Sequence, residues 1–412
     1  MSSKRRILIL SDAVSSSTGL GRIARDLAIR IHANLSDVYD LATYGYGSPG
    51  SSKFPFPQYN MEGKSDWLLP SLPEVCEDFF GKQKYTILTI WDLHRLTWLA
   101  APRGCNELFS KFPGLQQWAM SRPFEIWGYI PIDGSGPNDR LTFPIMKTLL
   151  GFDRLLAYGE FGEGVIRRTI GDEESDKRHL THIPHGICGE TFYELPRKLS
   201  RKLFLQYTGA HNFFQMIGQV KDTAPIADDE VLIHIVATNQ NRKDWCTGLE
   251  ACAILAKTRR IRVWAHLDDL ERYWSIPNLL ADFGLLDKTI ISLGQISDER
   301  MATAYSACDL GLGIGLGEGM GYPIFESLFC GTPCLHVNYG GAPAWMGNPD
   351  LLVEPIAYRY EGAYASQRPV SRAQDWATKA DAVIGKRVNR PGELNWQNLW
   401  PKWQKWFMEA AK

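Results

Sequence analysis

Residues 309–341 read DLGLGIGLGEGMGYPIFESLFCGTPCLHVNYGG. The stretch opens as a buried strand, DLGLGIGL, and turns through GEGMGYP, where Pro323 suits the first turn of a helix. The sequence then runs into an apolar helical pattern, stops at CGTP and resumes as a strand, PCLHVNYG. Strand, glycine-rich turn, helix and strand form the repeating unit of a parallel α/β sheet. Two carboxylates mark the turn: Glu318 lies among the glycines, and Glu326 lies about one turn into the helix. A helix start offers unpaired amides and a positive dipole end, and glycines let a ligand approach the backbone. Together these make a phosphate cradle. Carboxylates accept paired hydrogen bonds from neighbouring hydroxyls, so the pair suits a ligand with sugar, diphosphate and ribose in a row. The spacing alone is equally compatible with a glycine-rich turn carrying two solvated glutamates.

Working outward, the same alternation extends over the chain. Strand-like runs are RILILSD, VYDLATYGYG, YTILTIWDLH, FEIWGYIPIDG, RLLAYGEFG and THIPHGI in the first half, with a helix over GRIARDLAIRIHANL. EVLIHIVATNQ, IRVWAHL and KTIISLG precede the opening stretch in the second half. The expected architecture is α/β, with two Rossmann-like domains facing across a cleft. The domains are placed at 1–190 and 230–388, with 191–229 as linker or insertion and 389–412 as an aromatic helix, interrupted by Pro401, that crosses back to the first domain. Residues 47–75, rich in Gly, Pro, Ser and aromatics, read as a long loop. Ligands of such sheets sit beyond the carboxyl ends of the strands.

The 412 residues suffice for two such domains, and 44% hydrophobic with 22% charged residues is ordinary for a soluble globular chain. A net charge of −1 supplies no global field toward nucleic acid or membrane. The apolar run Ile7 to Leu10 is too short for a signal peptide, and no stretch approaches the roughly 18 apolar residues of a spanning helix. The 8 cysteines lack the spacing of a zinc or redox motif, which points to free thiols in a reducing cytoplasm.

The segment 296–341 is similar to the C-terminal half of retaining nucleotide-sugar glycosyltransferases of the GT-B fold, family-four type. The resemblance rests on E-G-x-G-x-P-x-x-E, with seven residues between Glu318 and Glu326, followed by the C-G-x-P turn. It implies that Glu318 contacts the transferred sugar and Glu326 the ribose. The amides around Gly319, Met320, Gly321 and Tyr322 would then face sugar and diphosphate. In VATNQNRKDWCTGLEA, Arg242 and Lys243 lie between a strand and a helix. Cations are disfavoured at a helix start unless an anion binds there, and a departing diphosphate is such an anion. The adjacent Arg-Lys pair resembles a phage-like subgroup of the family, with Asn239 and Asn241 orienting it.

In the N-terminal half, SSSTGLGRIA contains Gly19, Gly21 and Arg22. As a dinucleotide signature it is weak, because the glycines lie well past the strand end at Leu10. The family's G-G-x-G-R loop is a better fit, although Leu20 stands where its second glycine would be. His94 and Asp133 each follow a strand. Asp133 occupies the region where the family carries a histidine, and is the candidate general base for an acceptor hydroxyl. His94 is a candidate stand-in for the missing imidazole or a structural histidine. Glu160 and His185 match family positions and are further site candidates. The aromatics Tyr44, Tyr46, Phe54, Phe56, Tyr59 and Trp67 suit either core packing or stacking on an acceptor. The basic run Arg197, Lys198, Arg201 and Lys202 reads as a solvated helix face, and Asp268–Asp269 as a solvated pair rather than a metal site.

These readings converge on a hexosyltransferase that uses a UDP- or GDP-linked sugar without metal or further cofactor. The acceptor is a glycan, a lipid or a hydroxymethylated DNA base, and oligomeric state is left open. The alternative is a nucleotide-sugar-binding protein without transfer activity.

Overall fold

A computed structural model describes residues 4–47, 53–61, 70–81, 83–105 and 109–412. The chain divides into two compact units, each built on its own sheet. The first comprises Met1–His185, Ala363–Ser366 and Leu399–Lys412; the second comprises Gly186–Gly362 and Gln367–Asn398.

Among the described residues the first unit holds seven strands: β1 (Arg5–Asp12), β2 (Tyr39–Tyr46), β3 (Gln58–Met61), β4 (Tyr85–Thr89), β5 (Phe124–Ile130), β6 (Arg154–Ala157) and β7 (Thr181–His182). They lie in the order β3-β2-β1-β4-β5-β6-β7, and every pairing is parallel. Ile7 to Leu10 and Ile87 to Leu88 are buried on both faces, which explains why these strands read as continuous apolar runs. Leu10 pairs with Thr89, and Thr89 with Gly128. The segments following β1, β4 and β5 therefore leave the sheet at one edge.

β3 lies in what the sequence presents as a loop over 47–75. Its four residues are too few to show a periodicity, and the parallel ladder from Thr43 to Tyr46 defines it. Tyr44 and Phe56 are core residues, with the Tyr44 hydroxyl 2.5 Å from Ser71 Oγ, and Phe54 stacks on Phe56 at 5.6 Å. Trp67 lies outside the described residues.

The second unit holds β8 (His211–Asn212), β9 (Val231–Val236), β10 (Ile261–Leu267), β11 (Thr289–Leu293), β12 (Leu310–Gly313), β13 (Cys334–Val337) and β14 (Leu352–Val353), in the order β14-β13-β12-β9-β10-β11-β8. Only the edge strand β8 is antiparallel to its neighbour. Two further strands, β15 (Ala357–Glu361) and β16 (Ser366–Val370), pair separately.

The segment 191–229 contributes the helix Arg197–Thr208 and β8 to this unit. The basic run on that helix corrects the expectation of a solvated face. Arg201 is 7% exposed, donates to Asp309 Oδ2 at 2.6 Å and caps the carbonyls of Ala227 and Glu230. Arg197 pairs with the other Asp309 oxygen, while Lys198 and Lys202 are exposed.

The C-terminal helix Trp396–Ala410 runs through Pro401 without the expected interruption. Proline removes a single N–H, and the turns beyond it bury Trp403 and Phe407 completely, which outweighs that loss. Trp403 Nε1 also donates to the Pro184 carbonyl at 3.0 Å.

Asp309 is 3% exposed and also accepts from the Leu232 amide at 2.8 Å. Asp309→Ala strands the Arg201 charge, at a cost of about 3–5 kcal/mol. We expect thermal denaturation to show the second unit melting roughly 10 °C lower, whereas Lys198→Ala leaves the transition unchanged.

Candidate active site

The glycine-rich turn leaves β12 at Gly313 and enters the helix Tyr322–Phe329 at Gly321. Gly321 has φ +79°, a conformation that side chains disfavour, and this fixes the angle at which the helix starts. The turn is bound to the loop after β9: the Leu316 amide donates to the Arg242 carbonyl at 2.8 Å, and the Asp244 amide to the Ile314 carbonyl at 2.9 Å. Lys243 and Gly315 form a bridge within this pairing. A Cβ at Gly315 would lie 2.2 Å from Glu318 Oε1, so only glycine admits the carboxylate there.

Lys243 Nζ donates to Glu318 Oε1, and Arg242 NH1 approaches the same oxygen at 3.4 Å. The Glu318 and Lys243 side chains are 14% and 11% exposed. Burial alone would raise the Glu318 carboxyl. The charges of Lys243 and Arg242, together with the Lys243 hydrogen bond, overcome it and hold the group at about 2. Glu318 is thus an anion throughout the physiological range, and it balances two cations that a competing anionic ligand would also attract.

Glu326 is 6% exposed, and the buried Tyr305 hydroxyl donates to its Oε2 at 2.8 Å. Burial, reinforced by the Glu326 charge, keeps Tyr305 protonated, so this donor is permanent. Met320 is buried with its carbonyl accepting from Trp345 Nε1 at 3.1 Å, which anchors the turn from behind, while Gly319 and Tyr322 are half-buried.

The two asparagines expected to orient the cations differ. Asn241 Oδ1 accepts from the Arg242 amide at 2.8 Å, and its Nδ2 donates to Glu361 at 3.2 Å. Asn239 is fully buried: its Nδ2 donates to the Asp269 and Trp274 carbonyls, and its Oδ1 accepts from the Trp274 amide at 2.8 Å. Both ends of the Asn239 side-chain amide are thus committed to the protein. Asp268 and Asp269 are exposed, as the sequence suggests. Asp268 accepts from the Asn239 amide at 2.6 Å and from Arg272 at 2.9 Å. Trp274 Nε1 closes the loop on the Lys243 carbonyl at 2.8 Å. A lone tryptophan far along the chain gave no sequence signal for this role.

In the first unit the strand ends carry a second constellation. Gly19 opens the helix Gly19–Leu35, and Thr18 caps it by accepting from the Gly21 amide at 3.1 Å. A Cβ at Gly21 would lie 2.5 Å from the Ala13 carbonyl, so this glycine lets the turn after β1 fold against the helix. Asp12, not singled out in the sequence, is the centre of the group. It accepts from Trp91 Nε1 at 2.8 Å and from the Thr18 hydroxyl at 2.7 Å, and pairs with Arg95 at 3.8 Å. Its signal was its place directly after the buried run of β1.

His94 is exposed, on the helix Leu93–Ala100, with its ring 5.5 Å from Tyr364 and in electrostatic reach of Asp133. His185 is buried, with Nδ1 3.1 Å from the Tyr129 hydroxyl; burial, and then the nearby Arg22, hold it neutral with its ordinary value lowered to about 3. Glu160 is exposed in the first turn of the helix Glu160–Ile170, where its charge complements the helix dipole.

Comparison of the sequence with protein-family models and with curated proteins finds no match. Comparison of the structure with solved structures finds many. Sucrose-phosphate synthase from Thermosynechococcus elongatus matches with a TM-score of 0.68 at 15% identity, covering 99% of this chain and 100% of that one. Anabaena HepE in complex with UDP and glucose matches at 0.61 and 13%, covering 99% and 100%. An E. coli structure described as trehalose-6-phosphate bound with UDP-2-fluoro glucose matches at 0.60 and 13%, covering 98% of each chain. The chain has the GT-B fold, with its two α/β units on parallel sheets.

The lowered Glu318 value has a consequence for stability. A carboxylate depressed by folding stabilises above its ordinary titration, here 4.5, and that contribution disappears as pH falls toward about 2. In urea titrations Glu318→Gln should be less stable than wild type by on the order of 3 kcal/mol from pH 5 to 8. The gap should narrow steadily below pH 4.5. A gap independent of pH would show that Glu318 is not held ionised by its two cations.

Proposed function

We propose that this chain is a glycosyltransferase that moves a hexose from a UDP- or GDP-linked sugar to an acceptor hydroxyl. One observation carries the reading: within a GT-B fold, Lys243 and Arg242 converge on Glu318 in a glycine-lined turn at a helix start. The diphosphate of a donor would take up the two cations and the amides at Met320, Gly321 and Tyr322. Glu318, released from part of its charge pairing, would accept hydroxyls of the transferred sugar, and Glu326, oriented by Tyr305, those of the ribose. HepE in complex with UDP and glucose, and the E. coli structure bound with UDP-2-fluoro glucose, share this fold, which supports a nucleotide-sugar donor.

The reaction in this proposal breaks the bond between the anomeric carbon and the diphosphate. Positive charge on Arg242 and Lys243 stabilises the leaving group more as its charge develops than in the ground state. These cations supply what a metal ion supplies elsewhere, which is the basis for proposing a metal-independent reaction. Double displacement needs a second carboxylate about 5 Å from the acid. We propose instead retention by front-face substitution within an ion pair. Asp133, with His94 in reach, is the proposed base for the acceptor hydroxyl. The acceptor classes are a glycan, a lipid or a hydroxymethylated base in DNA.

Incubation with radiolabelled UDP- and GDP-hexoses tests this. Wild-type protein should release nucleotide diphosphate, and Lys243→Ala should lower turnover by about 10²–10³, with a smaller effect on donor binding. Donor binding that raises the melting temperature without any hydrolysis or transfer would identify a nucleotide-sugar-binding protein instead. Parallel reactions with hydroxymethylcytosine DNA, lipid and oligosaccharide acceptors identify the acceptor class, and product NMR reads the anomeric outcome.

A further inference from the structure

The paired strands β15 and β16 carry exposed aromatic residues that the proposed reaction has not used. Tyr358 and Tyr360 on β15 are 49% and 56% exposed, and Ile356 just before them is 55% exposed. Alternate positions of a strand share a face, so the two tyrosine rings lie on one side, about 6–7 Å apart. The Ile356 amide donates to the Val370 carbonyl at 2.8 Å, which holds the start of β15 to its partner strand. Large apolar side chains gathered on one exposed strand mark a binding surface. Tyrosine suits one that stays wet, because it joins a flat apolar ring to a hydroxyl.

This surface is fixed to the glycine-rich turn. Glu361 at the end of β15 accepts from Asn241 Nδ2 at 3.2 Å, one residue before Arg242. Arg368 on β16 is buried and donates to the Leu316 carbonyl at 3.3 Å, two residues before Glu318. Glu354, ahead of β15, accepts from Asn338 Nδ2 at 2.8 Å. The Tyr358 ring lies 5.6 Å from that of Tyr339. The two residues after Tyr339 belong to the Glu318 backbone: Gly340 bridges to Glu318, and the Gly341 amide donates to the Glu318 carbonyl at 2.7 Å. The aromatic face is therefore continuous with the turn that carries Glu318, and anchors at both ends of β15 hold it there.

Charge selects among the ligands such a face could take. Single-stranded nucleic acid and an anionic membrane each call for several cations beside the aromatic groups. From Glu354 to Gly362 the single cation is Arg359, set against Glu354 and Glu361. An uncharged saccharide needs none, since the C–H face of a sugar ring packs on an aromatic ring while its hydroxyls stay in water. We propose that Tyr358 and Tyr360 form a platform for an oligosaccharide acceptor, holding sugar units behind the one whose hydroxyl reacts. The inference rests on the nucleotide-sugar reading above, and it narrows the acceptor to a glycan of several units.

Calorimetry with maltohexaose, cellohexaose and laminarihexaose, in the presence of UDP or GDP, tests it on wild type and on the double variant Tyr358→Ala, Tyr360→Ala. For a hexaose that wild type binds, the double variant should bind about 25-fold more weakly, about five-fold for each ring removed. Its affinity for UDP or GDP should change less than two-fold. Shortening that hexaose to its disaccharide should cost wild type more affinity than it costs the double variant, and Tyr360→Phe, which keeps the ring, should bind as wild type does. Should the double variant not fold, Tyr360→Ala replaces it, with a loss of about five-fold. Equal hexaose binding by wild type and variant overturns the proposal, as does a wild type that binds UDP or GDP but no hexaose. Single-stranded hydroxymethylcytosine DNA or phosphatidylglycerol vesicles bound by wild type and lost in the double variant would assign the face to another ligand and overturn it too. So would a wild-type dimer in sedimentation that the double variant dissociates. If wild type binds neither UDP, GDP, UDP-glucose nor GDP-mannose, the nucleotide-sugar reading itself fails, and this inference with it.

Discussion

A carboxylate held by two cations in a largely desolvated turn is stable only while all three charges are present. Glu318, Lys243 and Arg242 form such a set, and the backbone around them is built to keep it. Lys243 and Arg242 arrive on the loop after β9, and Glu318 arrives on the turn after β12. These two stretches are joined directly, by Leu316 to Arg242 and by Asp244 to Ile314. Gly315 leaves room for the carboxylate, and Gly321 starts the helix behind it. Were the carboxylate lost, two positive charges would remain next to a helix start, an arrangement that favours binding an anion. The same balance that stabilises the protein is therefore suited to exchange with a phosphate ligand.

A layer behind these charges fixes them in place. Asn239 binds both Asp268 and Trp274, and Trp274 holds the Lys243 carbonyl, which restrains the loop carrying the cations. Tyr305 orients Glu326 from the buried side, and Trp345 holds Met320. Positions precise to fractions of an ångström are what electrostatic stabilisation of a leaving group requires, because the donors then need no rearrangement as charge develops. In the first unit Asp12 has a comparable part, joining the helix cap at Thr18 to Trp91 and Arg95 next to His94.

Much of this was legible in the chain itself. The alternation of apolar runs with helical periods determined the α/β class, because strands buried on both faces must be continuous in their hydrophobicity. The glycines, Pro323 and the spacing of Glu318 and Glu326 marked the turn as a place for a ligand, and Arg242–Lys243 stood out as cations at a helix start. Local chemistry governs each of these features, and local chemistry is what a sequence writes down. The edge strand β3 and the uninterrupted passage of the last helix through Pro401 were not legible, since a distant ladder and distant buried aromatics decide them.

The sequence by itself determined which residues carry charge and where the backbone can bend. Tertiary structure decided how each charge is used. Asn239 looks like a free polar group along the chain, yet it is fully buried and its amide is consumed by the backbone of a loop that reaches Trp274. Arg201 looks solvated, yet it is buried against Asp309 more than a hundred residues away. His336 looks like one more residue of a buried strand, yet Gly313 engages one of its nitrogens and leaves the other unsatisfied. The physical reason is common to all three. Whether a polar group is satisfied depends on partners that only folding brings within hydrogen-bond distance, and one chain position carries no record of them.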